Sequence, residues 1–186
     1  MIKTTIDYLN EKITDTGFFN SVNCIAEKIE REGKEFPALC LGGEYKQIDL
    51  DVNGSLSYWR KNGNVTISEQ DNSTLGCAVE YKTTVPLKLI GFIKKDSPYN
   101  DCYFSDNICF ELMNTLTVNN AALKHLLKAK IARITAASYN TDRKTVSNEE
   151  YSDNLFMARY SHAYFSIDFN LEIISNQNCF NNICNG

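Results

Sequence analysis

The sequence has few histidines and lacks the motifs that build phosphate loops, metal centres and catalytic dyads. It has two histidines, nine scattered glycines and seven cysteines in 186 residues, with no Cys-x-x-Cys pair and no glycine-rich phosphate loop. These absences argue against a zinc site, a nucleotide site or a bound cofactor, and we expect none. The odd number of cysteines, with no apolar leader at the N-terminus, favours reduced thiols in a cytosolic compartment.

Long apolar runs are also missing. No window of 18 apolar residues occurs, so the sequence predicts no membrane-spanning helix. Hydrophobic residues make up 43% of the chain and charged residues 23%, which is typical of one globular domain of this length. The net charge of -4 disfavours a general nucleic-acid binder, because phosphate contacts favour a basic protein.

Hydrophobic periodicity predicts an α+β fold. We expect an antiparallel β-sheet, formed by a meander plus a long C-terminal strand, packed with an N-terminal helix and a mid-chain helical pair. Residues 2–14 have the spacing of the first helix, residues 101–127 that of the pair, and residues 130–140 favour a strand. The pattern over residues 18–31 fits either a helix or a strand. The apolar face of the first helix consists of Ile2, Ile6, Leu9 and Ile13.

Two Asn-Gly pairs predict tight turns between neighbouring strands. Asn53-Gly54 follows an alternating segment at residues 45–52, and Asn62-Gly63 follows the segment SLSYWRK. Because Asn-Gly is a strong hairpin signal, we expect the three flanking strands to pair consecutively as a β-meander. Pro86 lies in the next apolar strand, at about residues 85–93, and predicts an edge position or a bulge there.

The longest alternating pattern lies near the C-terminus. Residues 163–173 alternate without an error between apolar and polar side chains, which predicts a long strand with one buried and one solvated face. We expect one domain over residues 1–175, with a polar loop or lid at 141–154 and a polar tail at 176–186. The polar side of the strand comprises Tyr164, Ser166, Asp168, Asn170 and Glu172.

The segment DLDVNG, Asp49 to Gly54, has the opening residues of a calcium-binding loop. Position 12 of such a loop requires a bidentate Glu, but the residue there is Arg60, and the flanking segments alternate as strands rather than helices. We therefore interpret Asp49 and Asp51 as polar residues of a strand that enters a turn. A weak surface cation site is the alternative.

The two histidines do not predict a catalytic site. His125 is expected on the polar side of a helix near its C-terminus, and His162 is expected on the solvated face of the long strand. Neither belongs to a recognisable nucleophile motif. We expect no catalytic and no metal-binding residues, with a Cys–His pair formed by folding as the alternative.

Two sets of residues are candidates for contacts with other molecules. Tyr58 and Trp59 are adjacent on a strand and point to opposite faces, so one of them could be exposed beside Arg60, with burial of both as the alternative. The candidate subunit-interface residues are Tyr58, Trp59, Arg60, Tyr164, Asp168, Asn170, Glu172 and Phe180. The basic residues that could face DNA in an oligomeric channel are Lys124, Lys128, Lys130 and Arg133.

Several segments together resemble a known class of structural protein. In chain order they are the N-terminal helix, FPALCL, GSLSYWRKNGNVTI, VPLKLIGFIKKD, the helical pair and YFSIDFNLEI. This order and wording resemble the small neck proteins of tailed bacteriophages, the head-to-tail connector ring proteins of the tail-terminator or tail-completion type. The Asn-rich wording is most similar to the ring proteins of crAss-like phages.

The resemblance implies a structural virion protein, made in the host cytoplasm, that forms a six- or twelve-fold ring in the phage neck or tail. Portal or adaptor and tail proteins would be its neighbours, and DNA would pass through the channel without sequence-specific binding. Such a subunit needs two complementary surfaces, because a head-to-tail contact must close on itself. Two other classes remain open from the residues: a small cytosolic enzyme, and a monomeric binding module that uses an exposed sheet face.

Overall fold

A computed structural model describes residues 1–48, 54–70, 80–94, 104–117, 120–142, 145–146, 150 and 162–176. Within them it confirms the predicted α+β class, with three helices and an eight-stranded, mostly antiparallel sheet. The helices are α1 (Ile2–Asp15), α2 (Phe104–Thr117) and α3 (Asn120–Leu126). The strands are β1 (Ser21–Arg31), β2 (Lys34–Leu41), β3 (Glu44–Gln47), β4 (Leu56–Lys61), β5 (Thr66–Gln70), β6 (Glu80–Lys94), β7 (Ile131–Asn140) and β8 (His162–Asn176).

The sheet is organised around two long central strands. β6 and β8 pair along their whole length, from Glu80 beside Asn176 to Lys94 beside His162. The strands lie in the order β3-β2-β1-β4-β6-β8-β7, and β5 pairs with β6 off this path. The β1–β4 pair is parallel, and the other described pairs are antiparallel.

Two tight turns form a meander at one end of the sheet, where β1, β2 and β3 pair consecutively. Glu32 and Gly33 between β1 and β2 both have positive φ, 55° and 73°, and Gly42 and Gly43 between β2 and β3 have φ of 63° and 89°. Two successive positive φ angles are the requirement of a type I′ hairpin turn, which glycine meets at little steric cost. The segment left open by periodicity, residues 18–31, is therefore mostly strand.

The meander predicted at the two Asn-Gly pairs is wrong in its pairing. β4 pairs with β1 and β6 rather than with β3, and β5 follows β4 along the same side of β6. Residues 49–53, with Asp49, Asp51 and the Asn of the first pair, lie outside the described residues. The second pair, Asn62-Gly63, interrupts the pairing with β6 instead of forming a hairpin.

Pro86 explains that interruption. Lys61 is the partner of Leu87 and Thr66 is the partner of Thr84, so residues 62–65 form a bulge opposite Val85 and Pro86. The N–H of Asn62 donates to the Pro86 carbonyl at 3.0 Å, so the proline nitrogen, which has no hydrogen to donate, also faces the bulge. The predicted bulge is confirmed, whereas the predicted edge position is wrong, since β6 lies inside the sheet.

The sheet separates two hydrophobic cores. The larger core lies between the sheet and the three helices, on what we call the helical face, and includes Trp59, Leu89 and Phe165. The smaller core covers one end of the opposite, outer face, where β2 and Val146 pack over Tyr58 and Tyr164. The described residues leave the other end of the outer face without an apolar cover, and polar side chains occupy it.

Candidate functional site

The uncovered part of the outer face carries rows of polar side chains that cross four strands. Arg60 on β4, Lys88 on β6, Asp168 on β8 and Ser138 on β7 are successive cross-strand partners. The next charged row along the sheet runs from Thr66 on β5 through Thr84 and Glu172 to Arg133 on β7. Because side chains alternate between faces, both rows point to the same side.

Asp168 is the centre of the first row. Its carboxylate accepts hydrogen bonds from Ser138 Oγ at 2.7 Å and from Asn62 Nδ2 at 2.8 Å, and Lys88 Nζ lies 3.9 Å away. The acid therefore ties the bulge before β5 to β6 and β7. A carboxylate with three such partners is fixed in orientation, and it offsets part of the positive charge of its row.

Glu172 is the centre of the second charged row. Its carboxylate pairs with Lys82 Nζ at 2.6 Å and with Arg133 Nε. The hydrogen bonds from Lys82 and then Arg133 hold the pKa of Glu172 below its usual value. Lys130, which precedes β7, pairs in the same way with Glu80 on β6. The acids of the outer face therefore pair with its cations and offset most of their charge.

A buried carboxylate lies at the end of the outer face that the smaller core covers. Glu150 accepts a hydrogen bond from Tyr58 Oη at 2.9 Å and one from Arg60 Nη1 at 2.8 Å. Its side chain is 3% exposed, and burial raises the pKa of Glu150 above its usual value although Arg60 and Tyr58 oppose the shift. The polar segment 141–154, predicted as a loop or lid, therefore contributes a buried glutamate that binds β4. No sequence signal indicated this contact.

The structure corrects several predicted interface residues. Tyr58 and Trp59 are both fully buried, one in each core, so the alternative of two buried faces holds and the exposed aromatic is wrong. Tyr164 is also buried, in the smaller core, because that core covers its end of the outer face. Arg60 is partly buried against Glu150, and Phe180 lies outside the described residues. Asp168, Asn170 and Glu172 remain half-buried on the outer face.

The four basic candidates are all exposed and lie on two different elements. Lys124 is in the last turn of α3, and Lys128 follows that helix at a positive φ of 50°. Lys130 and Arg133 lie instead at the β7 end of the sheet, where each is bound to a glutamate of the outer face. The cluster is thus divided between a helix end and an ion-paired sheet.

Strand β5 was predicted from the sequence, but its exposure was not. Four of its five residues are exposed, on both faces of the strand, and Ile67 is 61% exposed. Among the described strands β5 pairs with β6 alone, so no described strand pairs with its other edge. β7 is the matching edge on the opposite side, beyond β8. Alternation in NVTISE predicted a strand. The exposure of both its faces could not be predicted from this segment, because it depends on where the helices end along the sheet.

The histidines do not form a catalytic pair within the described residues. His162 is fully buried, contrary to the prediction of a solvated position, and its Nε2 lies 3.1 Å from the Gly54 carbonyl oxygen. His125 is exposed on α3 in a shallow pocket whose other lining residues are Ala121, Lys124, Lys128 and Ala129. None of the described residues that line that pocket is a thiol or carboxylate that could act with the imidazole.

A groove of about 930 Å³ lies between the start of α1 and the β1–β2 pair. Its lining includes Asp7, Cys24 and Cys40 but neither histidine, so the described residues place no imidazole base beside those thiols. The described part of the chain contains no group of three metal-binding side chains and no helix long and apolar enough to cross a membrane.

Comparison with known proteins does not add a relative. The chain matches no model of a protein family, and no curated protein is similar to it. The candidate site is therefore defined by geometry: an ion-paired outer face bounded by two sheet edges, β5 and β7.

Proposed function

We propose that this chain is a structural subunit that assembles into a closed ring in the neck of a tailed bacteriophage, joining a portal or adaptor to the tail around the DNA channel. One observation carries the proposal: both faces of β5 are exposed and no described strand pairs with one of its edges, which a solitary globular subunit would normally protect. A second copy that covers this strand would protect its exposed edge from non-specific pairing.

The order of elements supports the same proposal. Helix α1, the strands, the α2–α3 pair and the long closing strand β8 follow one another in the order on which the phage neck resemblance rests. The charges of the outer face fit a channel wall as well. Its acids already bind its cations, so the wall would let DNA pass without holding it.

The test is assembly of the purified full-length chain. Native mass spectrometry across a wide range of protein concentration, with electron microscopy of the same samples, should show closed rings of six or twelve copies. A chain that stays monomeric throughout contradicts the proposal and favours a monomeric binding module. Open fibres would also contradict it, because a ring requires a rotation that closes.

A further inference from the structure

We infer that the ring contact is a continuous β-sheet, in which β5 of one subunit pairs antiparallel with the first residues of β7, from Ile131 onwards, of the next subunit. The inference rests on the proposed function, because it names the surface through which the ring would assemble. The strand that pairs with each of these two edges belongs to a second copy of this chain. Three observations support that choice: strand direction, strand length and exposure.

Strand direction favours the pairing. β5 is antiparallel to β6, β6 to β8, and β8 to β7, so β5 and β7 point in opposite directions within one subunit. A rotation about an axis that runs along the strands preserves their direction. The β5 of one copy therefore meets the β7 of its neighbour in antiparallel orientation, which matches the rest of this part of the sheet.

Strand length also matches. The β7–β8 register is regular from Ile131 to Ala136 and then shifts at a bulge before Ser138. A bulge disrupts a ladder locally, so β7 offers its first six residues, 131–136, as a regular stretch for a new strand. The five residues of β5, Thr66–Gln70, fit within this length.

The charges of the two edges do not oppose the contact. Glu69 is the one charged residue of β5, and its pairing with Tyr81 places it on the helical face, opposite to the face that carries Arg133. The β5 side chains on the outer face are uncharged, so Lys130 and Arg133 keep the glutamates of their own subunit.

The third sheet edge is less suited to this contact. β3 has only four residues, Glu44–Gln47, and charged Glu44 and Lys46 are exposed along it. Short edge strands with charged side chains are the usual protection against unwanted pairing. At the other two edges, Ile67 of β5 and Ile131 of β7 are large apolar residues that are exposed in the single subunit.

Disulfide trapping tests the contact directly. Ser68, Lys82, Ile174 and Ile131 are successive partners across the four strands, so Ser68 and Ile131 share one row and one face. They are three strand spacings apart in one subunit, about 14 Å, which is too far for a disulfide bond within the chain. A bond between Ser68→Cys and Ile131→Cys therefore requires two subunits.

The expected result is a ladder of covalent oligomers when the S68C/I131C double variant is oxidised. Mixing the two single variants should give dimers only, because each chain then carries one half of the contact. The matched control is S68C/K46C, which offers the thiol on β3 instead. Juxtaposed thiols should react at least about tenfold more than this control. Peptide mass mapping separates the new bond from bonds made by the native cysteines.

The register is tested with S68C/R133C, which places the second thiol two residues further along the same face of β7. A Ser68 bond to position 131 or 133 supports the inference and fixes the register. If native mass spectrometry shows rings but neither bond exceeds the β3 control, the β5–β7 contact is wrong while the ring proposal stands. If the chain neither assembles nor forms these bonds, both are wrong. Circular dichroism confirms that the variants, all at exposed positions, remain folded.

Discussion

Tyr58 donates a hydrogen bond to Glu150 at 2.9 Å, and both residues are buried although 92 positions separate them in the chain. The bond joins the segment between β7 and β8 to the outer face of β4. Arg60, two residues along β4, binds the other carboxylate oxygen at 2.8 Å. This contact places the Glu150 side chain inside the protein, beside Tyr58 of the smaller core.

Replacing Tyr58 with Phe should lower the free energy of unfolding by about 1–2 kcal/mol, because the buried carboxylate loses one of its hydrogen-bond donors. Chemical denaturation measures this change. The matched control is Tyr45→Phe, since Tyr45 also donates to a glutamate, Glu27, at 2.7 Å, but on the exposed surface. The control should change stability by less than about 0.5 kcal/mol. Equal effects of the two substitutions would show that the burial of Glu150 has no energetic role.

Stability should depend on pH through Glu150. Its pKa in the folded protein is raised above 4.5, so the folded state binds the proton more tightly than the unfolded state does. The stability of wild type relative to Glu150→Gln should therefore be greatest in acid. It should fall as the pH rises from about 4.5 through the folded pKa. Denaturation of both proteins across this pH range measures the difference.

Glu172 provides the control of opposite sign. Its pKa is lowered by Lys82 and Arg133, so its contribution is present above 4.5 and is lost as the pH falls through the folded pKa. Relative to Glu172→Gln, wild type should gain stability as the pH rises. The same slope for both glutamates would contradict the assigned environments.

Close packing at the centre of the sheet should make Gly91 intolerant of a side chain. A Cβ atom at this position would lie 2.2 Å from Cζ of Phe165, its fully buried cross-strand partner on β8. Gly91→Ala should lower the free energy of unfolding by about 1–3 kcal/mol, and adding Phe165→Leu should restore part of the loss. Thermal and chemical denaturation measure both variants.

Ser57 is the control for that experiment, since it is the partner of Gly91 on β4 and its buried Oγ has no hydrogen-bond partner among the described residues. Ser57→Ala removes an unsatisfied hydroxyl and adds no atom, so stability should be unchanged or slightly higher. A loss at Ser57 as large as that at Gly91 would contradict the steric explanation.

The ion-paired outer face should leave DNA affinity low. Duplex DNA of mixed sequence should bind more weakly than a Kd of about 10⁻⁴ M at physiological salt, as measured by fluorescence anisotropy. A double variant, Glu80→Gln with Glu172→Gln, releases Lys130, Lys82 and Arg133 from their acids and should bind at least about tenfold more tightly. Micromolar DNA binding by wild type, or no increase in DNA affinity in the double variant, would contradict the conclusion that the acids of the outer face mask its cations.

Local patterns were sufficient for part of the fold. The apolar spacing of Ile2, Ile6, Leu9 and Ile13 predicted α1, and three of these residues are at most 1% exposed. The alternation in residues 163–173 likewise predicted β8, because the period of a strand is set by its own backbone. These elements were predictable since each pattern is complete within one segment.

Pairing and burial were less predictable because they depend on distant segments. Asn62-Gly63 has the sequence of a hairpin turn, but Pro86 on a strand further along the chain makes it a bulge. Tyr164 continues the polar alternation of β8, yet β2 folds over that end of the outer face and buries it. Glu150 lies in a polar segment with no pattern at all. The exposure of β5 depends on the position of the helices.

Hydrogen–deuterium exchange on separated monomer and assembled fractions tests the central claim most directly. If subunits join through a continuous sheet, the backbone amides of residues 66–70 and 131–135 become protected on assembly, while those of β3, Glu44–Gln47, exchange as they do in the monomer. Unchanged exchange of β5 and β7 in a closed ring, or protection of β3 instead, would contradict the account.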